Sequence, residues 1–94
     1  MRVIVREGAY RDLETIFDYI ATDSVLAARR TTLEILYATV RLAVFPRLGR
    51  SGSVEGTREF VIDHRFIMVY RIHESPSVIE VIAVAHVKRD RPNI

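Results

Sequence analysis

The sequence predicts an α+β fold in which a helical hairpin lies on one face of a mainly antiparallel sheet. Three observations lead there. A short β-branched run opens the chain, helical apolar spacing follows over residues 9–45, and three β-rich runs separated by turn residues close it. Strands this apolar cannot face water on both sides, so the helices must cover one of them. The order is strand, helix, helix, three strands, in a single domain over residues 1–94, a length that supports one core and not two.

"RVIVR", Arg2 to Arg6, reads as a strand that stops at Gly8. From Ala9 the period changes. Ala9, Leu13, Ile16, Phe17, Ile20 and Ala21 keep helical spacing, and Arg11, Asp12, Glu14, Thr15 and Asp18 fill the other face. "TDS", Thr22 to Ser24, supplies turn and N-cap chemistry before a longer helix. That helix must end by Phe45, because Pro46 disfavours a helical predecessor. It carries a main apolar stripe of Leu26, Leu33, Leu36, Tyr37, Val40 and Val44 and a second line of Ala28, Ile35 and Leu42 at spacings of seven. The wide arc lets one helix touch both the sheet and its partner helix, or else offers a groove to a partner's helix.

"PRLGRSGSVEGT", Pro46 to Thr57, reads as a flexible Gly/Ser-rich loop, too short to link domains. "REFVI", "FIMVYRI" and "VIEVIAVA" then read as three strands of a meander, joined by the turns "DHR" and "HESPS". The chain closes on the basic tail "HVKRDRPNI".

Composition narrows the function classes. The chain has no cysteine, which removes disulfide frameworks and thiolate metal sites and fits a reducing cytoplasm. No segment approaches the roughly 20 apolar residues of a membrane span, and the first ten residues lack the apolar core of a signal peptide. There is no P-loop, no Gly-rich dinucleotide fingerprint and no HExxH, and His64, His73 and His86 show no metal-ligand spacing. Neither metal nor cofactor is expected. Net charge is only +2, yet thirteen of the fourteen cations are arginine, whose donor fork suits carboxylate and phosphate.

The charged residues gather where the chain changes direction. Arg47 and Arg50 lie in the loop, Arg58 and Glu59 at a strand start, Arg65 in a turn, and Lys88, Arg89 and Arg91 in the tail. Strand ends from alternate turns of a meander meet at one edge, where such groups converge on a target or remain solvated turn charges. His86 follows five apolar residues and falls at the sheet rim, where it serves as a proton carrier or as a hydrogen-bonding partner of a loop. Glu59 either pairs with Arg58 or acts as a base kept ionised by it.

The stretches "YRDLETIFDYIA", "GRSGSVEGTREFVIDHRFIMVYRI" and "IEVIAVAHVKRDRP" together resemble the ParE branch of the RelE/ParE superfamily of bacterial toxins, in order and over nearly the whole chain. The resemblance implies the same fold and a toxin of a type II toxin–antitoxin pair. It also implies a ParD-like or other acidic-tailed antitoxin that wraps and neutralises it, and one of two targets. ParE-like members poison DNA gyrase; RelE-like members cut messenger RNA on the ribosome. Scission through a 2′-hydroxyl needs a base, an acid and cations around the phosphorane. Where RelE-like nucleases have lysines, this strand reads Arg58, Phe60, Ile62 on one alternation and Glu59, Val61, Asp63 on the other. Ile67 stands where their arginine precedes "VY", and no tyrosine follows Tyr70.

The expectation from this resemblance is a gyrase inhibitor without chemistry of its own, in indirect contact with DNA. Its target surface would comprise Arg50, Arg58, Glu59, Arg65, His86, Lys88, Arg89 and Arg91. The alternative is a ribosome-dependent nuclease using His86, Arg58, Glu59, Arg65 and Arg89. Tyr10, Tyr19, Ile35 and Leu42 are the expected antitoxin contacts, with core packing the competing role for Tyr10 and Ile35.

Overall fold

The computed structural model describes residues 1–87. Its elements are β1 (Arg2–Val5), α1 (Glu7–Ala21), α2 (Val25–Val44), β2 (Arg50–Ser51), β3 (Arg58–Val61), β4 (Phe66–Glu74) and β5 (Ser77–His86). The five strands form one sheet in the order β1-β5-β4-β3-β2. Pairing is antiparallel except that β1 lies parallel to β5, with Arg2 opposite Val78 and Val5 opposite Val81. The helical hairpin between β1 and β2 supplies the connection that this parallel pair needs.

α1 begins two residues earlier than its apolar spacing suggests. Glu7 and Gly8 are already helical, and Arg6, the N-cap, donates its backbone N–H to Val81 at 2.9 Å. The acidic Glu7 suits the positive end of the helix, so Gly8 ends nothing. Ser24 caps α2 as expected, its hydroxyl oxygen accepting the Ala27 N–H at 3.1 Å, and α2 stops at Val44 ahead of Pro46.

The core joins Ala9 and Leu13 of α1, Ile35, Ala38 and Leu42 of α2, and Phe60, Phe66, Met68, Tyr70, Ile79, Val81 and Val84 of the sheet. Two local features shape the side of the sheet under α1. Register slips between Val69 and Tyr70, which opposes Ala83 and Val81 respectively. Beyond the end of β1, the Val84 N–H finds its acceptor in the Asp12 carboxylate at 2.9 Å. Asp12, expected on the solvent face of α1, is therefore half-buried against β5.

The loop expected to be flexible contains β2, whose Arg50 and Ser51 oppose Glu59 and Arg58. Gly52 donates its N–H to Thr57 and Thr57 donates to Val54, while Gly56 sits at a φ of 82° that L side chains rarely adopt. A two-residue strand has no periodicity of its own; its partner strand defines it.

Candidate functional site

The charged residues singled out above fall into two groups at opposite ends of the sheet. The first is built on β3. Alternation turns Phe60 and Ile62 toward the core and Glu59 and Val61 away from it, so the adjacent charges Arg58 and Glu59 serve different faces. Arg58 donates to the backbone carbonyls of Gly49 at 2.7 Å and Arg47 at 3.2 Å. Tyr70, opposite it on β4, donates its hydroxyl to the Pro46 carbonyl at 2.7 Å and accepts the Gly49 N–H at 2.9 Å. Together these two side chains fasten the segment that leaves α2. Glu59 is 5% exposed; its carboxylate accepts the Ser53 N–H at 3.3 Å and lies 3.6 Å from the Arg50 guanidinium. The pair at the mouth of the strand thus holds the loop that carries β2.

The second group lies where β3 turns into β4 and β5 ends. Asp63 accepts the N–H groups of Arg65 at 2.7 Å and Phe66 at 3.2 Å, and its other oxygen meets the Arg65 guanidinium at 3.1 Å. Burial pushes the Asp63 carboxyl up, but these donors outweigh it and hold the group below the usual carboxylate range. The same geometry lays Arg65 over the Phe66 ring at 5.0 Å, and His86 meets that ring edge-on at 5.4 Å. A cavity of about 200 Å³ opens here between α1 and the sheet, lined among others by Asp12, Thr15, Tyr19, Arg65 and His86.

Arg65 and His86 are therefore brought together, as are Arg50 and Glu59, but the two groups are not. His86 opposes Phe66 and Arg58 opposes Tyr70, four residues further along β4, a separation of roughly 13 Å along the strand. Lys88, Arg89 and Arg91 lie outside the described residues. Among the described residues no cluster of His, Asp or Glu could hold a metal ion.

A third region was misassigned in the sequence. Ile35 and Leu42, expected at an apolar docking groove, are 1% and 0% exposed and belong to the core. The stripe expected to pack on sheet and helix points away from both: Leu26, Leu33, Tyr37, Val40 and Val44 are all more than half exposed, with Phe45 beyond them. The inner line includes Ala28 and Ala38, small side chains that let the helix pack closely. The larger residues are left outside. Tyr10 and Tyr19 are also exposed, and Tyr19 leans over the cavity beside His86.

This architecture, a helical hairpin over a sheet with its parallel strand contributed by the N-terminus, is that of the small toxins of toxin–antitoxin systems. Residues 3–91 match the model of the ParE toxin of the type II toxin–antitoxin system parDE, and the chain belongs to that family. It is 36% identical over 87 residues to the toxin candidate Y4kP of Sinorhizobium fredii, a match spanning 92% of this chain and 88% of that one. Among solved structures, it resembles the chromosomal ParDE system of P. aeruginosa with a TM-score of 0.79 at 20% identity, over 92% of this chain and 95% of the other. The toxin–antitoxin complex RelBE2 of Mycobacterium tuberculosis gives 0.69 at 21% identity, over 90% and 95%. The YoeB/ParE toxin of Agrobacterium tumefaciens gives 0.67 at 21%, over 92% and 98%. At these identities the structural likenesses establish the fold.

Proposed function

We propose that this toxin acts in the cytoplasm by binding DNA gyrase and stabilising the intermediate in which DNA is cut, and that a cognate antitoxin neutralises it. The observation that carries the gyrase reading is the division of the charged groups. RNA scission needs a base, an acid and phosphate clamps around one reacting atom, whereas Arg58 and Glu59 hold a loop at one end of the sheet and Arg65 and His86 border a cavity at the other. Outward on β3, Val61 stands beside Glu59 with no proton to exchange. The antitoxin reading draws on the family and on the ParDE and RelBE2 complexes that share the fold. The exposed apolar face of α2, with Tyr10 and Tyr19, gives such a partner a surface to cover.

One observation favours ribosome-dependent cleavage instead: Arg65 and His86, a cation and a proton carrier, share one cavity wall. A gyrase supercoiling assay run beside messenger RNA cleavage on ribosomes separates the two. Gyrase inhibition with accumulated double-strand breaks, retained in His86→Ala, supports the proposal. Codon-dependent cleavage lost in His86→Ala, with gyrase unaffected, overturns it.

A further inference from the structure

Only one oxygen of the Asp12 carboxylate is used by the fold. Oδ2 accepts the Val84 N–H at 2.9 Å. Among the described residues Oδ1 has no hydrogen bond and the group has no ion pair, although the side chain is half-buried and lines the cavity under α1. Arg65, which also lines that cavity, is held in place without using all its donors. Its Nη2 meets Asp63 at 3.1 Å and its guanidinium lies over the Phe66 ring at 5.0 Å. Its Nε and Nη1 donate to no acceptor among the described residues. Asp63 itself does not line the cavity, so the interior meets the cationic end of that pair and a carboxylate with no counter-ion. Tyr19 and His86 border the same space with interactions of their own.

The remaining wall is apolar, with Ile16 and Ile20 from α1 and Phe66 and Val84 from the sheet. The volume is about 200 Å³. A cavity of about 150 Å³ holds a benzene molecule, so this one admits a single small molecule and the two charged groups lie within its span.

We propose that this cavity binds a free α-amino acid with an apolar side chain the size of leucine, its ammonium group on Asp12, its carboxylate on Arg65 and its side chain against Ile16, Ile20, Phe66 and Val84. The guanidinium fork suits a carboxylate, and the spare Asp12 oxygen suits an N–H donor. Charge selects the zwitterion. A carboxylate without an amine is drawn to Arg65 and repelled by Asp12; an amine without a carboxylate leaves the fork unfilled. An apolar molecule desolvates both groups and compensates neither. Glycine satisfies the charges and leaves the apolar wall wet. The site is a binding site that makes and breaks no bond, and it stands whether the toxin acts on gyrase or on the ribosome.

The test is an amide NMR titration of the full chain with four probes at neutral pH: L-leucine, glycine, isocaproate, which is leucine without its amine, and isoamylamine, which is leucine without its carboxylate. Leucine is expected to give saturable shifts at the Thr15 and Val84 amides and to bind at least about tenfold tighter than each of the others, since a hydrogen bond to a charged group contributes at least that factor. Asp12→Asn, which keeps an oxygen for Val84 and loses the charge, should abolish the advantage of leucine over isocaproate. Arg65→Gln should abolish its advantage over isoamylamine, and Arg65→Lys, which keeps the cation and loses the fork, should weaken leucine alone; circular dichroism confirms that each variant folds. Absence of saturable shifts at Thr15 and Val84 overturns the proposal. So does isocaproate or isoamylamine matching leucine, which makes the cavity a simple basic or acidic cleft, or an advantage of leucine that survives Asp12→Asn.

Discussion

The Tyr70 hydroxyl accepts the Gly49 N–H at 2.9 Å, joining the middle of β4 to the segment between α2 and β2. The approach is close enough that a Cβ on Gly49 would stand 2.7 Å from that hydroxyl and 2.8 Å from the Glu59 carbonyl. Tyr70 itself is 0% exposed. Removing its hydroxyl leaves a buried N–H without its acceptor and frees the Pro46 carbonyl. Tyr70→Phe is therefore expected to lower unfolding free energy by about 1–3 kcal/mol in urea titration. Gly49→Ala, which collides with backbone as well as side chain, should destabilise at least as much. A Tyr70→Phe variant with an unchanged urea midpoint would mean that this contact does not hold the loop.

The two faces of α2 make opposite predictions for neighbouring residues. Ile35→Ala empties part of the core and is expected to destabilise by about 2–5 kcal/mol. Leu33→Ala removes a side chain that is 65% exposed and should change stability by no more than about 0.5 kcal/mol. Thermal melts of the two variants check the assignment directly. Comparable losses would place Leu33 in a buried contact.

That contrast also marks what the sequence could reveal. The order of elements was legible, because the period shifts from two to helical spacing and back at Ala9 and Pro46, and the alternation along β3 correctly put Arg58 and Glu59 on different faces. The inward face of α2 was not, because the helix carries two apolar lines and the bulkier one, from Leu26 to Val44, lies outside. Size suggests burial, but close packing on the sheet selects the small residues Ala28 and Ala38. The partners of Arg58 were equally hidden. They are the carbonyls of Arg47 and Gly49, whose positions depend on the path of a loop and not on the identity of its side chains. Arg65 and His86 share a cavity wall because β4 and β5 pair with Phe66 opposite His86, a register that spacing alone did not supply.

Stability should fall in acid through a cluster on the other side of the sheet. Glu80 on β5 accepts from or is paired with His73 of β4 at 2.9 Å and lies 3.3 Å from Arg6. The hydrogen bond from His73 is the main influence that holds the Glu80 carboxyl below its usual range; burial opposes it, and Arg6 adds to it. A carboxyl depressed in the folded state contributes stability above its unfolded pKa, and that contribution disappears as pH falls through the lower folded value. The loss should therefore develop below about pH 4. Glu80→Gln should flatten this part of the stability profile measured by thermal melts from neutral pH downward. A wild-type profile indistinguishable from that of Glu80→Gln would show that the cluster contributes nothing.

Asp12 offers the sharpest check on the wall of the cavity under α1. Its carboxylate accepts the Val84 N–H at 2.9 Å, across 72 residues of sequence and past the point where β1 stops pairing with β5. Asp12→Ala leaves that N–H without its acceptor in a part-buried setting, at a cost of about 1–3 kcal/mol. Asp12→Asn keeps a side-chain oxygen at the same reach and should recover much of the loss. Amide hydrogen exchange localises the effect: protection at Val84 should drop in the alanine variant and return in the asparagine variant, while the Arg6 amide, which donates to the Val81 carbonyl, stays protected in both. Uniform loss of protection across β5 in the alanine variant would mean that Asp12 supports the whole strand, and unchanged exchange at Val84 would mean that the bond is not made in solution.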